Sequence, residues 1–239
     1  MSVDTSGKRR PPKRLGLLRG AQLIASKDLR IEARTREVTA TTGLFALLVV
    51  VMAALSFYLT QDLARQIAPG VLFVSLSFAG VLGMGRSWAR ERELGALRGL
   101  LMSPIPRASI YLGKLASTMV FLGLIALLLL PIVGLFFHLE PDVTLLVVLG
   151  ITLLTCFGFA AAGTLFAALT VQTRARDLML SVVVFPLVTP TLLAGVLGAR
   201  EVLGGAPLTE ALDWLLLLGA CDLLFLAAGV LLFDTLLSE

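Results

Sequence analysis

Long apolar runs alternate with short polar stretches along most of the chain. The runs cover about Thr41–Leu59, Ile67–Gly85, Tyr111–Phe137, Thr144–Thr170, Leu178–Gly198 and Trp214–Phe233. Each approaches or exceeds the roughly 20 residues that a helix needs to cross a ~30 Å hydrocarbon core. Lipid offers no partner for backbone polar groups, so only helices and closed barrels span it. These runs are too long and too evenly apolar for barrel strands. The pattern predicts an all-α membrane protein whose six transmembrane helices occupy residues 39–239.

The N-terminal region has a different pattern. Residues 1–14 are basic, carry Pro11 and Pro12, and read as a disordered tail. Residues 15–38 show helical periodicity: Leu17, Leu18, Ala21, Ile24, Ala25 and Ile31 share one face, opposite Arg19, Lys27, Arg30 and Arg34. Such a helix lies along the membrane surface with its cations toward anionic head groups. Asp28 and Glu32 fall on the apolar side one turn apart, which is read either as snorkelling on an imperfect face or as a contact with a protein partner. The charges scattered through this segment separate it from a cleavable signal sequence.

Composition agrees with burial in lipid. The 239 residues are 57% hydrophobic and 15% charged, against roughly 25% charged in soluble domains. The distribution of the 20 basic residues sets the orientation. All but Arg65 and Arg200 lie before the first span, between spans two and three, or between spans four and five. The positive-inside rule places those segments, and with six spans both termini, in the cytoplasm.

The largest polar interruption is Arg86–Lys114. It holds Arg86, Arg90, Arg92, Arg98, Arg107 and Lys114 with only Glu91 and Glu93 as acids. Ser87–Met102 is expected to form a helix at the inner interface, with Trp88 at head-group level and Leu94, Leu97 and Leu101 on its apolar side. Pro104 and Pro106 end it and serve as its hinge.

Candidate chemistry within the spans is sparse. Asp222, near the middle of the sixth run, is costly at that depth unless paired, hydrated or protonated. Pro186 and Pro190 predict a kink or break in the fifth run, with Thr189 and Thr191 placed to satisfy freed carbonyls. His138 is the single histidine, which excludes a multi-histidine metal site. Cys156 and Cys221 form no Cys-x-x-Cys pair. With no phosphate-binding Gly-x-x-x-x-Gly-Lys-Ser/Thr loop, any use of ATP must come through another protein.

The stretch ELGALRGLLMSPIPRASIYLGK (93–114) resembles the cytoplasmic loop of the haem exporter protein B (CcmB) family, ABC-type permeases of bacterial cytochrome c maturation. KDLRIEARTRE (27–37), Ala-Pro-Gly at 68–70 and ALTVQTRARDLMLSVVVFPLVTPTLLAG (168–195) extend the resemblance over nearly the whole chain. Arg98 departs from the family pattern, in which several relatives carry an acid. The resemblance implies a type-II-exporter-like permease of the bacterial inner membrane, with a cytoplasmic coupling helix between spans two and three. Arg90, Glu91, Glu93, Leu94, Leu97, Arg98, Leu101, Pro104 and Pro106 would then form the docking surface for the ATPase. Implied partners are a haem exporter A-like ATPase, haem-handling subunits C and D, haem chaperone E and a second permease copy; nucleic acid is not expected. The chain itself would be non-catalytic, using ATP through its partner, with haem handled by the complex and no cofactor assigned to it.

Two other function classes fit parts of the pattern. An ATP-independent secondary transporter or channel would depend on Asp222, but it lacks a second buried charge and a clear internal repeat. An intramembrane enzyme would need clustered ligands or nucleophiles that the runs do not contain.

Overall fold

The computed structural model describes residues 16–57, 61–93, 105–170 and 176–236. These residues form seven helices: α1 (Leu17–Thr35), α2 (Glu37–Ser56), α3 (Gln61–Glu93), α4 (Arg107–Phe136), α5 (Val143–Thr170), α6 (Arg176–Leu203) and α7 (Leu208–Leu236). Helices α2 to α7 each contain a segment long and apolar enough to cross a membrane, which matches the expected all-α, six-span architecture. The disordered tail expected at 1–14 lies outside the described residues.

Helices α5, α6 and α7 pack on one another, α4 leans on α5 and α7, and α3 contacts α4, α5 and α6. α3 is thus the inner helix, with 67% of its span buried. α2 is peripheral, with 22% buried, and packs mainly on α3. Its buried residues Val38, Thr42, Ala46 and Val50 recur every fourth position and form one narrow stripe. Tyr111 of α4 ties three helices together: its hydroxyl lies 3.1 Å from the Ala161 carbonyl of α5 and 3.3 Å from the Phe225 carbonyl of α7.

α1 docks on the first turns of α4 rather than standing apart. Gly20, Ala21 and Ile24 are its buried residues. The approach is close because Gly113 has no side chain: a Cβ there would lie 2.7 Å from Ile24 Cβ and 2.8 Å from the Ala21 carbonyl oxygen. The Ser109 hydroxyl donates to the Leu17 carbonyl at 2.8 Å.

Three sequence expectations change. Residues 87–93 are not a separate interfacial helix but the last turns of α3, because nothing breaks the helix there and the buried series Val81, Met84, Trp88 continues without interruption. Trp88 is accordingly buried at 3% exposure and faces the neighbouring helices, not lipid head groups. In the fifth span, α6 is continuous through both Pro186 and Pro190, so of the expected kink or break the break does not occur. Thr189 bonds the Phe185 carbonyl at 2.7 Å, whereas the carbonyls freed by the prolines belong to residues 182 and 186. Thr191 Oγ1 has no partner among the described residues, so neither threonine plays the expected part.

Candidate functional site

The end of the bundle that carries α1 gathers the charges that the sequence scatters. Lys114, counted above with the loop cations, lies inside α4 at 2% side-chain exposure. Its Nζ is 2.8 Å from Asp28 Oδ2 of α1, 3.4 Å from the Ser87 hydroxyl of α3 and 5.4 Å from the centre of the Trp88 ring. Ser117 adds a 3.4 Å contact to the same Asp28 oxygen, and Lys27 approaches Asp28 Oδ1 at 3.1 Å. A buried cation is tolerated only with such pairing. The result is a junction of α1, α3 and α4 around one ammonium group.

Glu32 closes the turn between α1 and α2. Arg36 adopts a left-handed backbone (φ 53°), and its N–H donates to the Glu32 carbonyl at 2.7 Å. The Glu32 side chain then accepts from the Thr39 N–H at 2.7 Å and from the Thr39 hydroxyl at 2.8 Å. A carboxylate placed on an unpaired N–H in the first turn of α2 caps that helix and suits its dipole. Asp28 and Glu32 therefore serve contacts within the chain, which corrects the expectation that they face a partner. The periodicity signals that they are misplaced on an apolar face; it does not reveal what covers them.

Of the residues expected to meet an ATPase, Arg90 is half-buried on α3 and pairs with Glu37 of α2 at 3.5 Å. Glu91 and Glu93 belong to the last turn of α3, with side chains outside the described set. Leu94, Leu97, Arg98, Leu101 and Pro104 lie outside the described residues. Pro106 is the residue before α4, half-buried with an extended backbone. Ile105 packs at the position of Gly20 of α1.

Asp222 lies elsewhere, on α7, at 4% exposure, and neither carboxyl oxygen has a hydrogen-bond partner among the described residues. It presses against Gly158 of α5, where a Cβ would collide with Oδ1 and come within 2.8 Å of Thr191 Cγ2. His138 is exposed in the turn after α4 with a left-handed backbone, next to a stretch where Glu140 reaches Arg65 at 3.8 Å. Among the described residues no group of three His, Cys, Asp or Glu side chains could hold a metal.

Residues 20–234 match the family model described as CcmB protein. The chain belongs to this family. "Heme exporter protein B" of Pseudomonas aeruginosa is 28% identical over 205 residues, covering 84% of this chain and 90% of that protein. The protein of the same name from Paracoccus denitrificans is 31% identical over 193 residues, covering 79% and 86%, and that from Haemophilus influenzae is 30% identical over 174 residues, covering 71% and 76%. The CcmB match starts within α1 and ends within α7, so it takes in the Lys114 junction and all six spans.

Proposed function

We propose that this chain is the membrane subunit of an ABC-type exporter for cytochrome c maturation in the bacterial inner membrane. It is non-catalytic, and a separate, haem exporter A-like ATPase supplies the ATP hydrolysis. That hydrolysis is coupled to haem handling and to release of haem-loaded chaperone E at the periplasmic face, together with subunits C and D. Both termini are cytoplasmic, and two copies form the permease. The observation that carries this reading is the CcmB match over residues 20–234. The Lys114 pairing supports it, because that side chain links α4 to Asp28 of α1 and to Ser87 of α3, so that motion imposed on one of these helices would reach the others.

Co-expression with the cognate ATPase tests the proposal. The two proteins are expected to co-purify, and Glu93→Arg or Leu97→Asp to weaken the complex while the permease still folds. Lack of affinity, with both variants leaving assembly intact, would overturn it. Asp222, buried and without a hydrogen-bond partner among the described residues, supports one other reading, an ATP-independent transporter. That reading requires flux without ATP that disappears in Asp222→Asn.

A further inference from the structure

A cavity of about 1020 Å³ opens between α1, α2, α3 and α4, and its wall changes character along its length. Near the α1–α2 turn it is lined by Lys27, Arg36 and Arg90 together with the acids Asp28 and Glu32; farther along, Leu44 and Leu47 of α2 stand with Leu124 and Leu128 of α4. From Ser117 to Leu128, its lining residues on α4 span roughly 16 Å at about 1.5 Å per residue, the depth of one leaflet of a ~30 Å core.

Three observations say what fits there. The guanidinium of Arg36 is exposed and makes no ion pair among the described residues, although Lys27 and Arg90 beside it have carboxylate partners. Leu44, Leu124 and Leu128 remain 67%, 53% and 53% exposed, so the deep wall is open to an apolar occupant. Gly43 lines the cavity, and a Cβ built there meets nothing within 4 Å, so the space extends over α2 itself. Three cations against two acids leave the mouth with one cation in excess, and Arg36 is the one without an ion pair among the described residues; above an apolar slot one leaflet deep, this is complementary to an amphiphile with an anionic head.

We propose that this cavity is a binding site for an anionic phospholipid of the leaflet on the α1 side. Arg36 holds the phosphate, Lys27 and Arg90 flank it, and an acyl chain descends past Leu44, Leu47, Leu124 and Leu128. The bound lipid fills the gap left by the thin contact of α2 with α4, joining the peripheral first span to the Lys114 junction. The site rests on the membrane placement of the six spans and is independent of any role in haem export.

The full chain, reconstituted in an equimolar mixture of phosphatidylglycerol and phosphatidylcholine and released into detergent, is examined by native mass spectrometry for retained lipid. Phosphatidylglycerol is expected to be retained preferentially. Arg36→Asn, which suits the left-handed backbone, should lower that preference about fivefold, as loss of one basic contact implies. Arg36→Lys should keep it, and Gly43→Phe should abolish retention of either lipid by filling the slot. Equal retention of both lipids, unchanged by Arg36→Asn and Gly43→Phe, would mean annular lipid only and would overturn the proposal. So would a Leu44→Cys disulfide between two chains in the membrane, which places a second copy there, or displacement of the lipid by free haem.

Discussion

Lys114 and Asp222 are the two charged-type side chains buried among the described residues, and their surroundings are opposite in kind. Lys114 has a carboxylate, a hydroxyl and an aromatic face directed at it from two other helices. Asp222 has Gly158 against it and, among the described residues, no donor to either oxygen. The first arrangement specifies a junction, because the charge is tolerable only when α1, α3 and α4 are all in place. The second specifies a fit, because α5 supplies room at Gly158 and no pairing. A buried ionisable side chain in this chain is therefore not by itself a functional signal. What surrounds it decides whether it holds helices together or merely occupies space between them.

The largest expected effect breaks the first half of that comparison. Asp28→Ala leaves Lys114 buried without its carboxylate and should destabilise the protein by about 3–5 kcal/mol. Replacing both partners, Asp28→Leu with Lys114→Met, should recover most of that loss in a thermal unfolding series in detergent. If the single and double variants are equally unstable, the pair is not what locks α1 to α4. A smaller effect tests the second half. Gly158→Ala places a methyl group where the Asp222 carboxyl lies and should cost about 1–3 kcal/mol. Asp222→Ala in the same chain should relieve it, and strict additivity in the double-mutant cycle would contradict the proposed contact. The smallest change is expected of Asp222→Asn. With no hydrogen bond among the described residues to lose, it should shift stability by less than about 1 kcal/mol and leave complex assembly intact. A large loss of function with unchanged stability would instead give that carboxyl a role of its own.

The six spans were legible because crossing lipid is a local requirement on length and apolarity, and each run meets it alone. Their ends were less legible. The third run reads as starting at Tyr111, but α4 starts at Arg107. The second reads as ending at Gly85, but α3 continues to Glu93, since a helix does not stop where hydropathy falls if its inward face is still covered. The same limit misplaced Trp88, an aromatic that reads as an interfacial anchor when its neighbours are arginines. Asp28 and Glu32 were visible as anomalies on an apolar face, and that was the one available trace of the junction. Nothing in the spacing linked them to Lys114 or Thr39, and the cavity left no trace at all.

By itself, the sequence determined the all-α class, the number of spans, the amphipathic first helix, the asymmetry of basic residues and the resemblance to CcmB proteins. The resemblance rests on the particular stretches at 27–37, 68–70, 93–114 and 168–195; the rest follows from composition and from periodicity along the chain. Only the tertiary structure decided that Lys114 is a buried pairing partner, that Glu32 caps the helix after it, that Asp222 rests against Gly158, and that α2 stands off far enough to leave an amphipathic slot. Periodicity says which face of a helix is covered. Which residue covers it depends on how closely two distant helices approach, and here Gly113 and Gly158 set that distance.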